Sequence, residues 1–418
     1  MLVFKFGGAS VKDAKGIINL GSVVEKFNGE ELLIVVSAMG KTTNALEKLT
    51  KAYINGDSHL QEIFDEIKNY HCAIMEELFE PRHPVFDEVA NTFVEIDWVI
   101  EDEPHEDYDF IYDQIVSIGE LVSTRIINAY LNQAGIKCQW LDVRGYVHTD
   151  NTYREGIVQW EKTCAAINKD IPSLLQKGRI VTQGFLGGTS ENFTTTLGRE
   201  GSDYTASIFA ACLGAESVTT WKDVPGILNA DPKLFEDTVK FDELSYTEAI
   251  EMTYYGASVI HPKTIKPLQN ARIPLLVKSF SQPEEPGTII HETSGGKPGK
   301  PVIIIKQNQT LLSISARDYS FISEQQLSTI FKLFSQAQVK VNVMQTSALS
   351  FTVCFDLYEE RFKKLLVALT AGFKVKYNDG LTLITVRHYS PASLKELTVG
   401  KTILMEQLSR NTIQLVVK

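Results

Sequence analysis

The chain has 418 residues, of which 44% are hydrophobic and 22% charged, a balance that excludes a disordered chain and suits globular cores. That length exceeds one ordinary core and predicts two domains. The net charge of −11 offers none of the basic footprint that phosphate neutralisation on a nucleic acid requires, so no nucleic-acid partner is expected.

Residues 1–5 lead straight into Gly7 and Gly8 without a charged region, an apolar run and a cleavage site in succession, so no secretion is expected. The longest apolar runs, 32–36 and 302–305, are strand-sized and far short of the roughly 18 residues of a membrane helix, so no membrane partner is expected. Five cysteines (Cys72, Cys138, Cys164, Cys212 and Cys354) are scattered without a Cys-x-x-Cys spacing, and reduced thiols in the cytoplasm are the expectation.

Residues 2–6 and 32–36 read as short buried strands, each closed by small residues and followed by a helical segment. This β-loop-α alternation predicts an α/β class: a three-layer αβα open, mainly parallel sheet with ligands at the C-terminal strand ends. From Asp57 to Asp113 there are 18 acidic residues against Lys68 and Arg82, a net of −16 that leaves +5 for the remainder. Apolar residues at helical spacing in that stretch (Leu60, Ile63, Phe64, Ile67; Val85, Val89, Phe93) predict an inserted helical element over about 51–113 whose charges are a solvated face. Strand-like runs recur at 137–143, 179–182, 217–220 and 274–278, and Gly295-Gly296-Lys297-Pro298-Gly299 reads as a linker.

Beyond it, strands are predicted at 302–306, 310–315, 339–344, 351–355, 374–377 and 381–386, with helices at 324–336 and 359–369. That is a small α+β, ferredoxin-like unit. Residues 401–406 and 411–417 read as a hairpin, and the helix expected before it looks trimmed.

Two loops carry the chemistry. Lys5-Phe6-Gly7-Gly8-Ala9-Ser10 sets a lysine at a strand end and glycines where backbone N–H groups can approach a phosphate, although the same residues suit a plain tight turn. Residues 194–205 form a second small polar loop, with Arg199 to bind an anion and Asp203 as a fixed carboxylate at a helix start.

These loops, with the 117–123 segment Ser-Ile-Gly-Glu-Leu-Val-Ser, the Asp223-Val224-Pro225-Gly226 turn, Asp231-Pro232 and His261-Pro262, resemble the aspartate kinases in the same order over essentially the whole chain. The resemblance implies the amino acid kinase fold over 1–293 and tandem ACT regulatory units over 300–418, the second truncated. It implies transfer of the γ-phosphate of ATP, supplied with Mg2+, to the side-chain carboxylate of L-aspartate. Such a carboxylate, with a pKa of about 3.9, is already anionic at neutral pH and needs no general base; the problem is charge repulsion, which a bridging lysine relieves.

By resemblance Lys5 is that lysine and Asp203 its partner. Arg199 holds the α-carboxylate, Glu120 the α-ammonium, and Ser37, Thr43, Phe185 and Ser202 line the pocket. The nucleotide falls to Gly7, Gly8, Ser10, Lys222, Asp223, Gly226, Asp231 and Lys233; no residue is assigned as a direct metal ligand, and His261 is given a structural role. Four residues depart from the family pattern, among them Lys222, which stands where relatives often have threonine. Ser258 stands where relatives often have a phosphate-contacting lysine, and Lys222 is expected to supply the missing charge. Leu228 replaces a frequent tyrosine. Glu200 stands where glycine is usual and is expected to point outward.

In the regulatory region Asn342, Gln345 and Ser347 are the effector candidates, for lysine or threonine, and a homodimer through this region is expected. The alternatives are another amino acid kinase, or a catalytically dead amino-acid-sensing protein.

Overall fold

The computed structural model describes residues 1–257, 260–293, 299–318 and 320–418. Two compact units divide it: Met1–Ile227 with Lys240–Ile250 and Val259–Ser294, and Leu228–Val239 with Glu251–Ser258 and Gly295–Lys418.

The first unit holds strands β1 (Leu2–Phe6), β2 (Leu32–Val36), β3 (Cys138–Leu141), β4 (Arg179–Gln183), β5 (Leu186–Gly188), β6 (Thr194–Thr196), β7 (Ser217–Lys222), β8 (Glu243–Ser245), β9 (Leu275–Ser279) and β10 (Thr288–His291). Eight of them form one sheet in the order β3-β4-β2-β1-β7-β9-β10-β8. It is parallel from β3 to β9, and β10 then runs antiparallel to β9. Every residue of β2 is buried, as a strand covered on both faces demands. Phe6 and its neighbour Trp221 on β7 stack with ring planes 7° apart.

Helices α1 (Ala14–Glu25), α2 (Thr42–Ile54), α3 (Leu60–Leu78), α4 (Val85–Glu101), α5 (Tyr108–Val116), α6 (Ile118–Gln133), α7 (Trp160–Leu175), α8 (Gly201–Leu213), α9 (Tyr246–Tyr255) and α10 (Pro262–Ala271) complete the order, with α9 passing from this unit into the second. The acidic stretch is α3, α4 and α5. Their apolar stripes are buried while Glu62, Asp65 and Glu66 face outward, so the charge is a solvated face. Asp113 is the exception. It is fully buried and accepts hydrogen bonds from the N–H groups of Arg154 and Thr196 and from the Thr196 hydroxyl. His261 caps α10, its ring nitrogen accepting the Lys263 N–H.

One cysteine expectation is corrected. Cys164 on α7 and Cys212 on α8 form a disulfide, leaving Cys72, Cys138 and Cys354 free. The two lie 48 residues apart in sequence, and only the packing of α7 on α8 brings them together.

The second unit carries β11 (Val302–Ser315), α11 (Glu324–Gln336), β12 (Val341–Thr346), β13 (Ser350–Asp356), α12 (Glu359–Gly372), β14 (Lys374–Arg387), α13 (Pro391–Thr398), β15 (Ile403–Leu408) and β16 (Thr412–Val417). They form one antiparallel sheet, β12-β13-β11-β14-β16-β15. The sequence splits β11 and β14 into two strands each, yet both run unbroken for 14 residues. The polar residues 307–309 that suggest a break form an irregularity in the ladder, with Asn308 at φ +54°, and pairing resumes at Gln309.

The first half of β11 pairs with the second half of β14, and the second half of β11 with β13 and the first half of β14. One continuous sheet therefore serves two ferredoxin-like halves. The helix before the β15–β16 hairpin, α13, has eight residues against 13 in α11 and 14 in α12, with Leu394 and Leu397 in a core shared with Ile384 and Ile413.

Candidate active site

The C-terminal ends of β1, β2, β4 and β7 lie side by side, and the loops leaving them gather the charged groups. Lys5 sits one residue before the end of β1, flanked by Val35 and Thr220. Its Nζ is 3.1 Å from Oδ1 of Asp203, and both side chains are less than 10% exposed. Asp203 stands in the first turn of α8, where the helix dipole favours an anion. Burial pushes its carboxyl up, but Lys5 and Lys222, with hydrogen bonds from Lys5 and Thr220, outweigh burial and hold it below the ordinary range. The sequence reading missed Thr220, which no motif marks; β-sheet register alone sets it beside Lys5.

Gly7 and Gly8 open a turn in which the Ser10 N–H donates to the Gly7 carbonyl at 2.9 Å. A Cβ on Gly7 would meet only the Lys5 Nζ, at 3.5 Å, so the space beside the ammonium stays open. Gly8 answers to a second constraint. A Cβ there would lie 2.5 Å from the Ala38 carbonyl oxygen, and the Gly40 N–H donates to the Gly8 carbonyl at 3.0 Å. The loops after β1 and β2 are thus joined backbone to backbone, with Ser10 buried beneath them.

Glu120 lies in the first turn of α6 and is 2% exposed. Its Oε1 accepts the Ala38 N–H at 3.2 Å, while Oε2 is buried without a partner. Burial drives its pKa up to about 8, the Ala38 amide offsetting only part of the rise. The Ser37 carbonyl accepts the Ser123 hydroxyl at 2.8 Å, and Thr43 is partly buried at the start of α2.

Phe185 follows β4 at φ +71°, held by its N–H donating to Thr205 Oγ1 and its carbonyl accepting the Leu197 N–H. A Cβ on Gly201 would lie 2.6 Å from the Phe185 ring, and one on Gly184 2.4 Å from Ser202. These glycines let the end of β4 close on the start of α8.

Arg199 is exposed. Glu200 corrects the expectation of an outward side chain. At φ +54° it precedes α8, and its Oε2 is buried with no hydrogen-bond partner. Burial raises its pKa, Lys222, Arg199 and Lys5 oppose the rise, and Asp203 adds to it. Both acids therefore feel both lysines. The left-handed backbone that would suit glycine turns this side chain into the cluster.

Lys222 ends β7, and the exposed Asp223 follows it. Gly226 is buried at φ +153°, where a Cβ would lie 2.5 Å from Thr288 Oγ1. Asp231 and Lys233 belong to the second unit, where Asp231 Oδ1 accepts the Lys233 N–H. Ser258 lies outside the described residues.

The effector candidates are also in the second unit. Asn342 accepts from Lys306 Nζ at 2.9 Å and donates to Gln309 and Asp356, so its amide is engaged within the sheet. Gln345 and Ser347 are exposed.

Among the described residues no helix is long and apolar enough to cross a membrane.

Comparison with known proteins supplies the family. The model of the amino acid kinase family matches residues 1–279. Lysine-sensitive aspartokinase 3 of Escherichia coli is 30% identical over 393 residues, which cover 92% of this chain and 86% of that protein. Aspartokinase 1, chloroplastic, of Arabidopsis thaliana is 33% identical over 368 residues, 85% of this chain and 63% of that one. Crystal structures of E. coli aspartokinase III, one with lysine and aspartate and one with aspartate and ADP, each superpose with a TM-score of 0.84 at 28% identity, covering 100% of this chain and 96% of theirs. The chain belongs to the amino acid kinase family and, within it, to the aspartokinases.

Proposed function

We propose that the chain transfers the γ-phosphoryl group of ATP to the side-chain carboxylate of L-aspartate, giving 4-phospho-L-aspartate and ADP, the first step toward lysine, threonine and methionine. The observation that carries this reading is a buried ammonium–carboxylate couple, Lys5 and Asp203, at the same sheet edge as a fully buried carboxylate, Glu120, that has one oxygen without a partner. An α-ammonium supplies what Glu120 Oε2 lacks, and Arg199 receives the α-carboxylate. Ser37, Thr43, Phe185 and Ser202 line the pocket.

A carboxylate oxygen of the substrate forms the new bond to Pγ as the bond from Pγ to the β,γ-bridging oxygen breaks. No proton changes hands, which is why no histidine is required. Lys5 neutralises charge between the approaching anions, and Asp203 holds the ammonium in place. Gly7, Gly8 and Ser10 receive phosphate, with Lys222, Asp223 and Gly226 on the nucleotide side. Asp231 and Lys233 are given to the nucleotide by resemblance alone.

Magnesium accompanies ATP and neutralises phosphate charge when bound. Among the described residues no three or more His, Cys, Asp and Glu side chains converge as a metal set would. The chain's own described residues do not make a closed metal site.

ADP release from MgATP is to be measured with L-aspartate, L-glutamate and N-acetylglutamate, with hydroxylamine present to trap the acyl phosphate. Turnover confined to aspartate is expected. Turnover with another acid alone would make the chain a different amino acid kinase, and none with any acid would make it a sensor.

The division of labour proposed is catalysis over 1–293 and regulation over 300–418, with a homodimer formed through the latter, in the cytoplasm. Lysine or threonine is the proposed effector. Asn342, already bonded to the Lys306 ammonium, offers a cationic ligand weaker anchoring than a free carboxylate. Equilibrium dialysis with each amino acid and sedimentation of the full chain test these points.

A further inference from the structure

The helical layer of the first unit holds a cavity that phosphoryl transfer does not use. It has a volume of about 710 Å3 and is bounded by the start of α7, α8 and α10, with Trp160, Tyr204, Lys263 and Lys266 among its walls. That size is within the range of small-molecule sites. Trp160 and Tyr204 meet edge to face, ring centroids 6.4 Å apart, and give the cavity an aromatic wall.

Glu155, a further wall residue, and Lys263 come to the same glycine. A Cβ on Gly198 would lie 3.4 Å from Glu155 Cγ and 3.6 Å from Lys263 Nζ. The two side chains carry opposite charge, yet neither is in an ion pair among the described residues. An acid and a base held at one end of a cavity, both unneutralised, complement a zwitterion. The aromatic wall complements a flat apolar body.

We infer that this cavity binds a free α-amino acid with an aromatic side chain. Its ammonium meets Glu155, its carboxylate meets Lys263 with Lys266 close by, and its ring lies against Trp160 and Tyr204. Both halves of the recognition are needed, because lysines alone would take any anion and aromatic rings alone any apolar body. The site adjoins the catalytic loop at two points. Gly198 directly precedes Arg199, and Tyr204 directly follows Asp203 in the first turn of α8. Occupancy therefore changes the Michaelis constant for aspartate, a consequence that rests on the function proposed above, whereas binding itself does not.

Isothermal titration calorimetry of the full chain tests binding, with L-phenylalanine and L-tryptophan as probes and 3-phenylpropionate, which lacks the ammonium, as comparison. Saturable binding of at least one aromatic amino acid is expected. It should weaken about tenfold in Lys263→Ala and in Trp160→Ala, and Glu155→Gln should weaken the amino acid without weakening 3-phenylpropionate. Lys263 is exposed, so its replacement is expected to leave the melting curve unchanged and decides the matter if Trp160→Ala fails to fold.

Three results overturn the inference: no saturable heat at millimolar probe, equal affinity in wild type and Lys263→Ala, or equal affinity for 3-phenylpropionate and phenylalanine. Calorimetry needs no turnover, so failure of the kinase assignment would leave this outcome readable. If binding holds while the Michaelis constant for aspartate stays fixed, the coupling is wrong and the site stands.

Discussion

The Lys5 ammonium and the Asp203 carboxylate form a buried ion pair across the β1 end and the α8 start, 3.1 Å apart. Removing either partner strands the other charge in a site with little water. Asp203→Ala is expected to cost about 3–5 kcal/mol of stability, as broken buried pairs do. Lys5→Met removes the bridging charge and should lower kcat by about 10^2–10^3, the scale of one lost electrostatic contact in a transition state. Urea unfolding and the hydroxylamine-coupled assay read the two effects. An unimpaired kcat in Lys5→Met would remove Lys5 from the mechanism.

Glu120 makes the aspartate site sensitive to pH. Its folded-state pKa of about 8 means that below pH 8 the free enzyme carries a neutral carboxyl, which must ionise to receive an ammonium. The Michaelis constant for aspartate should therefore fall as pH rises from 6 toward 8, by up to about tenfold per unit, and then level off.

The stability effect has the opposite sign. A carboxyl whose pKa is raised on folding binds more protons folded than unfolded, so stability declines between its unfolded value, about 4.3, and about 8. Glu120→Gln should lose aspartate affinity at every pH and melt at a higher temperature than wild type at pH 9. Equal melting temperatures at pH 9 would contradict this account of the site.

Lys222 and Glu200 are predicted to act against each other on the nucleotide. Lys222→Thr should raise the Michaelis constant for ATP about tenfold or more, with aspartate little affected. An unchanged value would end the idea that Lys222 supplies the phosphate charge. Glu200→Gly removes a carboxylate from the cluster and relieves a left-handed backbone that costs a non-glycine residue roughly 1–3 kcal/mol. A higher melting temperature and a lower Michaelis constant for ATP are expected.

The Cys164–Cys212 disulfide closes a loop between residues 48 apart. Chain-entropy arguments give such a closure about 4 kcal/mol. Alkylation without reductant followed by mass spectrometry should count three free thiols, and Cys212→Ser should lower the urea midpoint under the same conditions. Five alkylated thiols would show the pair to be reduced in solution.

The sequence by itself determined the parallel α/β sheet, because β-loop-α alternation is written in runs such as 2–6 and 32–36. It marked Lys5, Glu120, Arg199 and Asp203, which stand in short motifs whose order resembles one family. It also set the polarity of the acidic helices, since their apolar residues recur at helical spacing. Other features depend on contacts between residues far apart in the chain, which no local pattern encodes.

Thr220 joins Lys5 through sheet register, and Gly8 is needed partly because the loop after β2 passes against it. Cys164 meets Cys212 because α7 packs on α8. Glu200 turns inward because its backbone is left-handed, a conformation the sequence suggests only through the glycine it replaces. The unbroken β11 and β14 were hidden for the same kind of reason: polar residues interrupt the apolar alternation, while hydrogen bonds to neighbouring strands carry the ladder through. Local propensity proposes the elements, and pairing and packing across the chain decide where they stop and what they bring together.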